Sequence, residues 1–310
     1  MNYRHAFHAG NHADVLKHVV LLALCDRLVA KPAPCFALDT HAGAGLYALD
    51  ADAARRTGEA DTGIVALLQD PPAEPAIARY LDAVRACRRD HGEHAYPGSP
   101  WLLAHALRDI DRVSCCELQP GEAAALKANL AGDRRVAIHA RDGYAAMKAL
   151  LPPVIAGQRF ARGLVLVDPP YEAQGAEFDI ALAALRDGLT RWPQATHALW
   201  YPIKQRRNLR AFQREAARLP SKSTLVVELL VHPDDSPLRL NGSGMVILNA
   251  PWNLDDVLRE PLHALASLLS QDRPAEWKLD WLRQEGAEPA TPSPLPASRL
   301  LRPVPPSRRR

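Results

Sequence analysis

The sequence predicts an α/β chain: a mostly parallel sheet covered by helices, with an antiparallel last strand and a small helical insertion after the first strand. Three observations carry that prediction. The run Gly163-Leu164-Val165-Leu166-Val167 is almost continuously aliphatic, as a strand buried on both faces must be. Apolar runs of this kind alternate with segments at helical spacing. Between residues 49 and 97 the alternation stops, and only helical pieces occur, at residues 62–68 and 76–88. The expected core is therefore residues 1–48 and 98–284, with residues 49–97 inserted. Residues 285–310 are mostly Pro, Ala, Ser and Arg, a composition that builds no core, and are expected to form a disordered basic tail.

Each element has its own signal. Asn11 or His12 opens a first helix, in which Val15, Val19 and Leu22 recur at helical spacing until Lys31-Pro32. Residues 35–39 form the first buried strand and run into Thr40-His41-Ala42-Gly43-Ala44-Gly45, a turn whose small residues let backbone approach a ligand. Ser99 as N-cap and Pro100 at the first helical position start the helix after the insertion. A second strand, residues 112–117, ends on Glu117. A third, residues 135–140, precedes Arg141-Asp142-Gly143, where Asp142 is placed to cap the next helix. The strand 163–167 stops at Asp168-Pro169-Pro170-Tyr171, because two prolines remove backbone donors and fix φ. A helix over 176–191, a strand over 195–201, a basic segment with its helix to about residue 219, and two final strands at 224–231 and 244–248 complete the series.

Composition excludes several classes. With 47% hydrophobic and 24% charged residues, the 310-residue chain has the make-up of a soluble globular protein. Its longest apolar stretch, residues 15–30, is broken by Lys17, His18, Asp26 and Arg27, so no membrane span is expected. The N-terminus does not resemble a secretion signal, and five cysteines without a C-x-x-C pair make a poor disulfide framework; a cytoplasmic protein is expected. His8 and His12 have the spacing of helical metal ligands. Gly10 and Asn11 interrupt the helix between them and no carboxylate or cysteine stands at a matching third position, so no metal is expected. A net charge of +3 does not by itself argue for nucleic acid. Lys204-Gln205-Arg206-Arg207-Asn208-Leu209-Arg210 is nevertheless dense in cations and a candidate for phosphate contact, although solvated helix faces also look like this.

Four strand ends thus carry, in order, a glycine turn after Asp39, then Glu117, Asp142-Gly143 and Asp168-Pro169-Pro170-Tyr171. The turn lacks the third glycine of the dinucleotide fingerprint. Glu117 suits ribose hydroxyls and Asp142 the amine of a cofactor adenine. Asp168 and the Pro169 carbonyl can accept the N–H bonds of a planar exocyclic amine, with Tyr171 stacking on its ring. This order on one edge is that of a Rossmann-like, S-adenosylmethionine-dependent amino methyltransferase. The residues alone leave the amine open: adenine N6 in RNA or DNA, or guanine N2 in RNA. A non-catalytic RNA-binding protein keeping the same fold, or an oxidoreductase, is disfavoured.

The block Tyr3-Arg4-His5-Ala6-Phe7-His8-Ala9-Gly10-Asn11-His12-Ala13-Asp14-Val15-Leu16-Lys17-His18 narrows it further. Together with Leu38-Asp39-Thr40-His41-Ala42-Gly43-Ala44-Gly45, Tyr96-Pro97-Gly98-Ser99-Pro100 and Asp168-Pro169-Pro170-Tyr171-Glu172, it closely resembles the RlmJ family, bacterial methyltransferases of an adenine N6 in 23S ribosomal RNA. The resemblance spans roughly residues 1–255. It implies cofactor contacts from His18, His41, Gly43, Ser99, Glu117, Asp142 and Gly143, and catalysis by Asp168 with Pro169, Pro170 and Tyr171. Tyr3, His5 and Lys17 would serve the RNA substrate. A monomer that uses S-adenosylmethionine and 23S ribosomal RNA, without metal or membrane, is the resulting expectation.

Overall fold

The computed structural model describes residues 5–171, 174–237, 240–270 and 275–286. Its main sheet has eight strands, in chain order β1 (Phe36–Asp39), β2 (Arg112–Glu117), β3 (Val136–Ala140), β4 (Gly163–Val167), β5 (Thr196–Ile203), β6 (Thr224–Leu230), β7 (Gly242–Leu248) and β8 (Glu276–Arg283). Across the sheet they lie in the order β8-β6-β7-β5-β4-β1-β2-β3. The pairs among β5, β4, β1, β2 and β3 are all parallel, whereas β7 runs antiparallel to β5 and to β6, and β8 antiparallel to β6. In β1, Asp39 stands level with Leu166 of β4 and Cys115 of β2. The loops that leave these neighbouring strands therefore emerge at one edge.

The aliphatic run of β4 is explained by its two faces. Leu164 and Leu166 join a core shared with the helices His12–Val29, Pro75–His91, Ser99–Ala106 and Leu254–Leu268. Val165 and Val167 join a second core with Gly143–Leu150, Gln174–Arg191 and Arg210–Ala217. The helix His12–Val29 is buried along most of its length and begins where Asn11 Oδ1 accepts the N–H groups of Ala13 and Asp14. Because water is excluded from it, its polar residues Asp14, Lys17 and His18 must find partners inside the protein.

Several elements differ from expectation. Ser99 is the first residue of its helix rather than the N-cap, a place taken by Gly98, because the Ser99 hydroxyl donates to Asp39 Oδ2 at 2.7 Å. Residues 49–97 carry the helices Asp52–Thr57 and Pro75–His91, and a short strand pair, Leu46–Ala48 with Ala95–Pro97, stands at their two ends. Three residues per strand are too few for an alternation to register in sequence. The helix Leu254–Leu268 and strand β8 were not anticipated, so two final strands become three. The tail expected at 285–310 lies, from residue 287, outside the described residues. Among the described residues no helix is long and apolar enough to cross a membrane.

Gly163 admits no side chain, since a Cβ there would collide with the Phe36 carbonyl oxygen and the Trp192 ring. Gly163→Ala should lower the free energy of urea unfolding by about 2 kcal/mol or more, the usual scale of overpacking. Gly121→Ala, with open space around it in a helix, should be neutral or stabilising by less than about 1 kcal/mol.

Candidate active site

Where β1, β2, β3 and β4 end, a cavity of about 490 Å³ opens. Its wall brings together His5, Lys17, His41, Gly43, Ser99, Glu117, Asp142, Gly143, Asp168, Pro169 and Pro170. Most of the residues singled out in the sequence therefore meet in one place, although His5 and Asp168 are far apart in the chain.

Local chemistry fixes each wall. Gly43 and Gly45 both have positive φ, which lets the loop after β1 fold back. The Gly43 N–H then donates to Glu117 Oε2 at 2.9 Å, and Glu117 Oε1 accepts from Gln119 N–H at 2.7 Å. The Glu117 carboxylate is thus oriented by backbone donors, with lone pairs to spare. Asp142 caps the helix Gly143–Leu150, its Oδ1 accepting from Ala145 N–H at 2.7 Å. Gly143 packs so closely on Thr40 that a Cβ would collide with the Thr40 carbonyl. The Thr40 hydroxyl donates to Leu166 O and so can only accept from His41 Nδ1, 2.8 Å away. His41 consequently carries its proton on Nδ1 and leaves Nε2 as an acceptor. Burial lowers its pKa to about 4, so the ring is neutral at physiological pH.

Asp168 is held from the other side. Lys17 Nζ lies 2.7 Å from Asp168 Oδ2 and 2.8 Å from Asp14 Oδ1, and Asp14 Oδ2 is 3.0 Å from His5 Nε2. Burial works against charge on Lys17, but Asp14 and Asp168 outweigh it and hold the ammonium well above its usual pKa. Burial likewise opposes charge on Asp14, whereas His5 and Lys17 keep its carboxyl well below the ordinary range. The result is a chain of polar contacts from His5 through Asp14 and Lys17 to the end of β4, with the Lys17 ammonium between two carboxyl groups.

Two expected residues stand elsewhere, and a third cannot be placed. Tyr3 lies outside the described residues. His18 does not line the cavity; its ring is fully buried, with Nδ1 3.0 Å from Tyr96 Oη and Nε2 without a hydrogen-bond partner among the described residues. Tyr171 is turned inward, contrary to the expectation that it would lie over a substrate ring. Its φ is +49°, its hydroxyl donates to Trp200 O at 2.7 Å, and its ring packs edge-on against Phe178 and Trp200. The left-handed backbone at residue 171 sends the side chain into the core instead of the cavity. Among the described residues no three His, Cys, Asp or Glu side chains are grouped to hold a metal ion.

A family model described as ribosomal RNA large subunit methyltransferase D, RlmJ, matches residues 32–283. The chain belongs to the RlmJ family. It is a methyltransferase. Two proteins named ribosomal RNA large subunit methyltransferase J are similar to it over 92% of this chain and the whole of each relative: one from Haemophilus influenzae at 35% identity and one from Escherichia coli at 34%. The crystal structure of a Legionella pneumophila protein, 28% identical, covers 88% of this chain and 98% of its own with a TM-score of 0.77.

In this RlmJ-family cavity the sequence reading missed Tyr47, Tyr144, Glu177 and Ile180. Tyr144 follows Asp142-Gly143 directly, and its hydroxyl donates to Glu177 Oε1 at 2.6 Å. Glu177 and Ile180 are three residues apart on the helix that follows the proline pair, a spacing that puts both on one face. That spacing was available in the sequence; Tyr47 had no comparable signal.

Asp39 offers a pH test. Burial raises its pKa to about 7; the Ser99 hydrogen bond opposes the shift and the nearby Asp168 charge adds to it. An unfolded Asp ionises near pH 4. The folded chain therefore keeps this proton where the unfolded chain has lost it, so the stabilisation is full below about pH 4 and is lost as pH rises to about 7. Urea unfolding of the wild type and Asp39→Asn between pH 5 and 8 should show the wild type losing stability relative to the variant up to about pH 7, then running parallel. Parallel curves throughout would contradict the assignment.

Proposed function

We infer that the protein transfers a methyl group from S-adenosylmethionine to the exocyclic N6 of one adenine in 23S ribosomal RNA. The observation that carries this reading is the convergence of Asp168-Pro169-Pro170 with Glu117, Asp142, Gly143 and the Gly43 turn on one cavity of an RlmJ-family chain. The residues present fit the cofactor. The oriented Glu117 carboxylate retains acceptor capacity for ribose hydroxyls, and the neutral His41 ring in the same cavity wall offers Nε2 as a further acceptor. On this reading His41, Gly43, Ser99, Glu117, Asp142 and Gly143 hold the cofactor, while Tyr3, His5 and Lys17 serve the RNA. S-adenosylmethionine supplies, when bound, an electrophilic methyl group on a sulfonium.

The protein's task is to make a poor nucleophile attack. The N6 lone pair of adenine is delocalised into the ring. Lys17 occupies Asp168 Oδ2, which leaves Oδ1 to accept one N6 hydrogen, and the Pro169 carbonyl can accept the other. Two acceptors at the nitrogen favour the pyramidal geometry in which the lone pair points away from the ring. As the N–C bond forms, nitrogen must shed one proton, for which Asp168 is the acceptor. Much of the rate enhancement then comes from alignment of the reacting atoms.

The base must leave its stack, at a cost of a few kcal/mol. With Tyr171 packed inward, the aromatic rings of the cavity wall that are available to offset that cost are those of His5, His41, Tyr47 and Tyr144. The same reading keeps residues 49–97 as an insertion in a core of residues 1–48 and 98–284, in a cytoplasmic monomer.

Asp168→Asn preserves shape and removes the proton acceptor. Turnover on 23S RNA should fall about 100-fold or more, with cofactor affinity by calorimetry changed only a few-fold. Near-normal turnover, or a methyl group mapped to an atom other than adenine N6, would sink the reading.

A further inference from the structure

The cations following β5 are not equivalent. Arg206 is already engaged within the protein: its backbone N–H donates to Asp234 Oδ1 at 2.6 Å, its Nη1 to Glu276 Oε2 at 2.6 Å, and its Nε lies 3.7 Å from the buried Glu228. Arg218 is paired with Glu215 at 2.6 Å. Lys204, Arg207, Arg210 and Arg214 are exposed, and among the described residues none has an acidic partner; Arg207 contacts only Gln205. Exposed cations without counter-charges keep their hydration and their field, and that combination attracts a polyanion.

Their placement ties them to the cavity. Leu199 of β5 is level with Val167 of β4, the residue before Asp168, so β5 continues past Asp168 to Ile203 and delivers Lys204 at the same edge of the sheet. The following helix, Arg210–Ala217, buries Phe212 and Ala216 and turns Arg210 and Arg214 to solvent one helical turn apart. Phe212 stacks on Phe178 at 4.3 Å between centroids, and Phe178 belongs to the helix that follows the Asp168 loop. Phe212 also packs edge-on against Tyr201 at 5.1 Å. The charged face is therefore fixed relative to Asp168 by packed aromatic rings.

We propose that Lys204, Arg207, Arg210 and Arg214 form a track for the phosphodiester backbone of the RNA flanking the target adenine, whereas Arg206, in the same sequence run, is a structural clamp that takes no part in it. The proposal rests on the function inferred above. A phosphate track beside the cavity holds the strand in register while one base is drawn out of it, and it carries no sequence information of its own. Arg210 and Arg214 are separated by about 6 Å along the helix axis, close enough to serve adjacent stretches of one backbone.

The test uses the full chain, 23S RNA fragments of fixed sequence, and the triple variant Arg207→Gln/Arg210→Gln/Arg214→Gln. The slope of log Kd against log salt should flatten by about 2, at roughly 0.7 to 0.9 per lost phosphate contact. The KM for RNA should rise about tenfold or more, while kcat at saturating RNA and cofactor affinity stay within about twofold of wild type. Arg206→Gln should instead lower the urea midpoint and leave the salt slope nearly unchanged. A triple variant with wild-type slope and KM, on RNA that the wild type methylates, overturns the track and leaves the methyltransferase reading intact. So does a slope loss from Arg206→Gln as large as that from the triple variant. Failure of the wild type to methylate adenine N6 in RNA defeats the underlying reading, and the track with it.

Discussion

The buried ammonium of Lys17, held between Asp14 and Asp168, is the interaction on which the site's assembly depends. It joins the first helix, at one end of the chain, to the end of a strand 151 residues later. Such a group is costly to bury, and removing one member of a buried ion pair characteristically costs about 3–5 kcal/mol because the other charge is stranded. With Lys17 only 5% exposed, the two carboxylates would be left facing each other without a counter-charge in its absence. The charge network therefore does structural and chemical service together. It anchors the N-terminal segment over the sheet edge, and it presents Asp168 with one oxygen engaged and the other available.

That edge is produced by ordinary packing. Alternate residues of β4 enter opposite cores, so helices must cover both faces, and the open ends of the parallel strands are left as the place where polar groups can converge. Once β1, β2, β3 and β4 are in register, the turns beyond them have little freedom. Glu117 clamps the turn after β1, and Thr40 is clamped both by Gly143 and by Leu166. The candidate cofactor residues lie at strand ends, in the turns beyond them and at the first positions of the helices that follow, and these parts are bonded to one another.

What could be read in the sequence followed from this logic. Three strand ends were legible because Asp39, Glu117 and Asp168 each close a buried strand, whereas Asp142 was legible as the cap of the helix that follows. Ser99 was misplaced by one residue, because its hydroxyl serves a distant carboxylate that no local rule includes. Tyr171 was assigned to the cavity from its place in the motif at the strand end and from the family resemblance; which way a side chain points depends on a backbone angle that the letters Asp-Pro-Pro-Tyr do not encode. Strand β8 was missed although Trp277, Leu279 and Trp281 alternate with Lys278 and Asp280, a period-two pattern that could have disclosed it. The convergence of Asp14, Lys17 and Asp168 was not derivable from local pattern at all, since it is a tertiary event between remote segments.

The inward Tyr171 has a mechanical meaning. A non-glycine residue with φ of +49° holds backbone strain of order 1 kcal/mol or more, and here the hydroxyl bond to Trp200 O and the aromatic packing around the ring offset it. Tyr171 thus rivets the end of β4 to β5, so Asp168, its two prolines and the neighbouring strand move as one rigid piece. The opposite wall is braced from a different direction: His5 Nε2 lies 3.0 Å from the buried Asp14 carboxylate, which Lys17 ties to Asp168. The end of β4 is thus gripped twice, by an aromatic rivet on the side of β5 and by a polar tether on the side of the first helix.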